Sequence, residues 1–235
     1  MRKAIFVMFS VLQMSIMSAQ ELTVIYKAVY NTASPQLFAE AGLSEEMRAS
    51  LASAYKDVVM TYQLCIRGTE SEFRLVPGKG KQEISFMGQT IDVNAAAYAQ
   101  AQNYTYKNHA EGVILDKTEA FGKKVIVIDS IRSERFTVVH NEKKDILGFE
   151  CLKANSADKK TTVWFSPYIP VKNEPIASGL DGLILQFDNG QQVFTAIDIV
   201  DTVNIKIARP EGEKLVSREE FSKSVKRRID MMKRR

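Results

Sequence analysis

The stretch LILQFDNGQQVFTAIDIV, residues 183–200, reads as two strands around a tight turn. Leu183 to Phe187 and Val193 to Val200 are rich in the β-branched, aromatic and large apolar residues that suit a pleated sheet. Asn189-Gly190 lies between them. Asn-Gly accepts the positive φ angles of a type I′ turn, whose twist matches that of paired strands.

Runs of the same character recur upstream. They cover residues 161–166, 146–154, 136–140, 125–128, 113–115 and 104–106, then 69–76, 57–66 and 21–31. In the first of these in chain order, Leu22, Val24, Tyr26, Ala28 and Tyr30 alternate with the remaining residues. A period of two predicts a strand with one buried face. The runs follow one another at roughly ten-residue spacing with no long helix between them. The predicted fold is therefore mainly β: a curved antiparallel sheet or half-open barrel with one or two short helices and a C-terminal amphipathic helix. No fixed-period repeat is present.

Residues 32–43 read as a loop with Pro35 and Gly42. Ser44 can cap a helix that has Glu45 and Glu46 in its first turn and Met47, Leu51 and Tyr55 along one face. Pro77-Gly78-Lys79-Gly80 is a turn, and residues 83–93 read as a short strand. Residues 94–102, Ala and polar groups with one Tyr, fit a short helix or an irregular excursion.

The two ends differ from the body. Residues 1–20 combine Arg2 and Lys3, an apolar run from Ala4 to Met17, and small Ser18 and Ala19. That is the layout of a cleaved secretory signal, with cleavage expected after Ala19. The predicted organisation is a signal at 1–20, one β-rich domain at 21–210 and a basic helix at 211–235. In the last segment Ser217 and Glu220 form a capping box. Phe221, Val225, Ile229 and Met232 share one side, and basic residues cover the rest. Such a helix can lie on its own domain or dock on an anionic membrane surface. The expected location is exported: periplasm, outer-membrane periphery or extracellular.

Charge follows the same division. With +2 in residues 1–20 and +5 in residues 217–235, the total of +4 leaves −3 for residues 21–216. A mildly acidic body does not offer the basic face that nucleic acid requires, so no nucleic-acid partner is expected.

The two cysteines, Cys65 and Cys151, suit either a disulfide in an exported protein or two separately packed thiols. His109 and His140 stand apart without ligands at metal spacing, so neither a metal site nor a cofactor is expected. No HExxH, GxSxG or phosphate-binding loop occurs. Asp129, Asp198 and Asp201 are acids that could pair only through the fold. Trp164, Phe165 and Tyr168 form an aromatic group suited to core packing or to an apolar ligand site.

Residues 143–187 carry a more specific pattern. Ile146-Leu147-Gly148-Phe149-Glu150-Cys151, Ala154, Trp164, Tyr168-Ile169-Pro170 and Gly179-Leu180-Asp181-Gly182-Leu183-Ile184 resemble the signature of the GLPGLI family of exported bacterial proteins. Asp181 stands where that family has Pro, and Glu174-Pro175 where Gly-Pro is usual. The resemblance implies a cell-envelope protein without an established enzymatic activity. The residues themselves explain the motif as a turn entering a strand, since Gly179 and Gly182 permit backbone angles that other residues resist. The candidate binding residues are Trp164, Tyr168, Gly179, Leu180, Asp181 and Gly182. The expected function is a non-catalytic binding or accessory protein of the envelope, with an apolar ligand or an outer-membrane protein as partner. The alternatives are a hydrolase acting on an envelope polymer and a self-associating scaffold.

Overall fold

The computed structural model describes residues 21–39, 43–100, 102–132, 136–171 and 179–233. The expected signal at residues 1–20 lies outside the described residues. Among the described residues, fourteen strands and three helices follow in chain order. The first strand, β1 (Glu21–Tyr30), is followed by α1 (Glu45–Tyr55), β2 (Val59–Arg67) and β3 (Glu70–Val76). A small hairpin, β4 (Glu83–Phe86) and β5 (Gln89–Asp92), leads into α2 (Val93–Gln100). Then come β6 (Tyr104–Asn108), β7 (Val113–Ala120), β8 (Lys123–Ser130), β9 (Phe136–Ile146), β10 (Phe149–Ser156) and β11 (Thr162–Ser166). The chain ends with β12 (Leu183–Asp188), β13 (Gln192–Asp201), β14 (Lys214–Ser217) and α3 (Arg218–Lys233).

Twelve strands form one sheet in the order β14-β8-β7-β6-β3-β2-β1-β13-β12-β11-β10-β9. Every neighbouring pair is antiparallel except β14 with β8, which is parallel. The sheet does not close, because β9 and β14 are its two edges. The mainly β, open-sheet expectation is thus met, and the last helix is present. Its start differs from the expected 211–235: residues 214–217 extend the sheet as β14 before the helix begins. Ser217 and Glu220 do form the capping box. Ser217 N–H donates to Glu220 Oε2 (3.1 Å) and Glu220 N–H donates to Ser217 Oγ (3.2 Å).

Residues paired across adjacent strands share a face. One face of the central strands therefore carries Val24 and Tyr26 of β1, Leu64 and Ile66 of β2, and Phe73 of β3. These join Cys151, Ala154, Val163, Phe165 and Leu183 to Leu185 in the main core. The Tyr26 hydroxyl, fully buried, donates to the Ile184 carbonyl (2.7 Å). Phe187 stacks on Phe194 with centroids 4.2 Å apart.

Among the described residues, three hairpins turn on two residues that both have positive φ: Met87-Gly88, Phe121-Gly122 and Leu147-Gly148. The Asn189-Gly190 turn is built otherwise, since only Gly190 has positive φ there. Asn189 acts through its side chain, whose oxygen accepts from the N–H groups of Gln191 (3.0 Å) and Gln192 (2.9 Å). Asp188 Oδ1 accepts from Gly190 N–H (2.8 Å). Short polar side chains that hold their own backbone offer this alternative to a type I′ turn.

Candidate functional site: a polar layer beneath the 202–213 strap

The opposite face of the same strands is polar. The register aligns Thr23, Cys65, Glu72, Tyr106 and Leu115 in one row across β1, β2, β3, β6 and β7. The next row holds Gln63, Arg74, Tyr104 and Lys117. The chain between β13 and β14 then crosses over these groups. Thr202 Oγ1 donates to Thr23 Oγ1 (3.1 Å), and Ile205 N–H to Glu21 Oε2 (2.9 Å). Arg67 donates to the Ile205 carbonyl (3.1 Å). Ile207 packs on Tyr106, Leu115 and Ile126. Arg209 binds both oxygens of Glu111 (2.8 and 2.7 Å), and Glu213 pairs with Lys117 (3.2 Å). Residues 202–213 thus form a strap held by hydrogen bonds to β1 and β2 and by ion pairs to the β6–β7 turn and to β7.

The strap buries charge. The Glu72 side chain is only 3% exposed, and it is ion-paired with Arg74. Among the described residues its Oε2 has no hydrogen-bond partner, nor do Arg74 Nε and Glu213 Oε2, although all three atoms are buried. Leaving such atoms unmatched costs about 1–3 kcal/mol each, so a group of them calls for an explanation. The Arg74 guanidinium lies 5.3 Å from the centroid of the Tyr104 ring. Burial, and then the negative charge of Glu72, push the Tyr104 hydroxyl above its ordinary value. Its proton is therefore held firmly at neutral pH. Beside this cluster Glu70 takes hydrogen bonds from Arg67 (2.7 Å) and from the Tyr106 hydroxyl (2.6 Å). Those two donors hold its carboxyl below the usual range.

The layer brings together the carboxylates Glu72 and Glu213, the cations Arg74 and Lys117 and the Tyr104 phenol, with Glu70, Arg67 and Tyr106 beside them. A carboxylate pair can do general acid–base work when one member gives a proton and the other takes one. None of these residues was singled out in the sequence. Residues 70–76, ESEFRLV, do place Glu70, Glu72 and Arg74 at alternate positions on a face opposite Phe73 and Leu75. That alternation was the available signal. The burial of the polar side was not legible.

The sequence-predicted residues lie elsewhere. Trp164 sits on β11 with its ring 5.7 Å from Lys144 Nζ and 6.0 Å from Lys153 Nζ. Tyr168, 68% exposed, is in the turn after β11. Gly179, Leu180, Asp181 and Gly182 adjoin that turn rather than Trp164. A Cβ on Gly182 would stand 2.3 Å from the Ser166 carbonyl oxygen, and Leu183 N–H donates to the Ile169 carbonyl (3.0 Å). Asp129 is drawn into a different contact: Arg218 of α3 pairs with Asp116 and with Asp129 (3.3 Å). Among the described residues no group of His, Cys, Asp and Glu is arranged to hold a metal.

The disulfide alternative is corrected, because Cys65 and Cys151 are free thiols. Cys65 alternates with core residues Leu64 and Ile66 and so points to the strap side, where it approaches Thr23 (4.0 Å). Cys151 is fully buried in the apolar core. Burial pushes its thiol up to about 11, which leaves it an inert core residue.

Neither a known family profile nor any curated protein matches the sequence. Two solved structures of PNGF-II, in the C2 and P21 space groups, share the fold. Each is 14% identical to the chain over 88% of its length, with TM-scores of 0.52 and 0.51. The chain spans about a third of PNGF-II, which is a hydrolase. This likeness overturns the expectation of a non-catalytic binding or accessory protein, and with it the preference against an enzyme. That expectation rested on the lack of short catalytic motifs. A fold found within a hydrolase removes its force, since catalytic groups can be gathered from separate strands.

Proposed function

We propose that the chain acts in a hydrolase directed at a polymer of the cell envelope, with Glu72 and Glu213 as its carboxylate pair. The observation that carries this reading is the gathering of Glu72, Arg74, Tyr104, Lys117 and Glu213 from three strands and the strap into one polar layer, with the Glu72 side chain only 3% exposed. One carboxyl group gives a proton to the leaving group while the other takes a proton from the attacking water, so that water is added across the cleaved bond. Arg74 stabilises negative charge that develops on the substrate, and the Tyr104 hydroxyl supplies a further donor. Lys117 holds Glu213 in place at 3.2 Å.

The fold likeness to PNGF-II supports a hydrolase. An exported location fits that likeness and the layout of residues 1–20. Membership of the GLPGLI family is a proposal that rests on residues 146–187.

The test is to incubate the purified chain with peptidoglycan, glycopeptides and envelope polysaccharide and to follow product release by mass spectrometry. Glu72→Gln and Glu213→Gln, each close in shape to the parent, are expected to lower turnover by about 10²–10⁴-fold. Unchanged circular dichroism would show that the variants fold. Failure of the parent to cleave any of these polymers, or full activity in both variants, would end the reading.

A further inference from the structure

The β7–β8 hairpin turns at Phe121, with φ 53°, followed by Gly122 with φ 74°. A left-handed conformation is uncommon for any residue with a side chain and is least expected for a bulky one. Asn or Gly would form this turn at lower cost. The Phe121 ring is also 49% exposed. A strained backbone that presents an aromatic ring to solvent does nothing for the core, and what sets this turn apart from those at Met87 and Leu147 is the aromatic ring and its basic surroundings.

The surroundings of this ring are basic. Arg228 of α3 stands with its guanidinium 5.8 Å from the ring centroid. Lys123 and Lys124, the next residues of the hairpin, are exposed, as are Lys226 and Arg227 on the helix. The helix starts near Asp116 and Asp129, where Arg218 anchors it, and reaches the hairpin tip by Arg228. Phe221 and Val225 are half-buried against the domain, but Ile229 and Met231 are 37% and 44% exposed. Aromatic and aliphatic groups here share one surface with exposed cations. Residues 21–216 as a whole carry a net −3, so the positive surface is local.

We infer that the Phe121 hairpin tip and the C-terminal half of α3 together dock on the surface of an anionic lipid bilayer. The cations meet the headgroups, while Phe121, Ile229 and Met231 enter the boundary with the acyl chains. A soluble polyanion would use the cations and have no use for the apolar groups, so the mixture favours a bilayer. The inference does not depend on the hydrolase reading: it concerns another part of the sheet and is read by binding.

The Leu147-Gly148 hairpin supplies an internal control. Leu147 has φ 57° and is 43% exposed, but the strand register puts its turn at the opposite end of the sheet from Phe121. The test is flotation of the purified chain with vesicles of phosphatidylcholine alone and of equal parts phosphatidylcholine and phosphatidylglycerol. Binding to the mixed vesicles is expected, and it should fall as salt screens the charges. Phe121→Asn suits the turn and so keeps the fold, but it should weaken binding about tenfold by removing an inserted ring. Leu147→Asn should leave binding unchanged, and Lys123→Gln with Lys124→Gln should weaken it. Equal binding to neutral vesicles, no binding to the mixed ones, or an unaltered Phe121→Asn would overturn the inference. So would heparin binding as tight as vesicle binding and equally indifferent to Phe121→Asn, which would assign the surface to a polyanion.

Discussion

The two faces of β1, β2 and β3 use the same backbone and are built in opposite ways. On one, Tyr26, Leu64 and Ile66 meet β10 to β12 in a dry interior. On the other, Glu70, Glu72 and Arg74 meet an irregular strap that is itself anchored by charge. The interior is held by volume and apolar area, where each lost methylene is felt. The strap side is held by matched polar partners, and a single unmatched atom there costs as much as a small cavity. Burial alone therefore does not identify a core. Glu72 is as buried as Leu22, at 2% exposure each, for a different reason.

The largest effect is expected where the interior allows no adjustment. Gly182→Ala should cost at least about 3 kcal/mol or prevent folding, because its Cβ meets the Ser166 carbonyl at 2.3 Å in a backbone conformation that disfavours side chains. Leu185→Ala should follow at about 2–5 kcal/mol, since Leu185 is fully buried and would leave a cavity. Urea denaturation would measure both, and a cost near zero for Leu185→Ala would break the contrast between the faces.

The strap side should respond to lost partners instead. Tyr106→Phe keeps the ring and removes the donor to Glu70 (2.6 Å), at an expected cost of about 1–2 kcal/mol. Its pH dependence gives a second reading. The Glu70 carboxyl is held low, so it stabilises the fold above the ordinary carboxylate range and loses that contribution as pH falls through its folded value. Glu70→Gln should therefore lower stability at neutral pH and flatten the loss of stability on the acid side. Parallel curves for the parent and the variant below neutral pH would refute the assignment.

The smallest effects compare the thiols. Cys151→Ser places a hydroxyl in the apolar core and should cost about 1–2 kcal/mol. Cys65→Ser faces Thr23 and should change stability by less than about 0.5 kcal/mol. Alkylation of the unfolded, unreduced chain should add two adducts, one per free thiol.

Most of the strands were legible because alternation survives in the sequence. Tyr26 and its neighbours in β1, and Leu64 with Ile66 in β2, show their buried face without further help. The capping box of α3 was equally plain, since Ser217 and Glu220 meet within one helical turn. Turns were harder. Asn189-Gly190 promised a type I′ geometry and the side-chain hydrogen bonds chose another, while Phe121-Gly122 adopted positive φ at both residues against local preference. The candidate site was scarcely legible at all. Glu72 and Glu213 are 141 positions apart, and β3 and the strap meet only after the sheet has formed.

The mainly β class, the strand periodicity, the acidic body and the basic end are written in the sequence, because these depend on residue type and on spacing of a few positions. Strand order, the placing of Cys65 and Cys151 on different faces, and the passage of residues 202–213 over the row that holds Glu72 arise only in the folded chain. Those follow from long-range pairing. The free energy of bringing distant segments together is settled by the whole set of contacts they make, and no local stretch of chain encodes it.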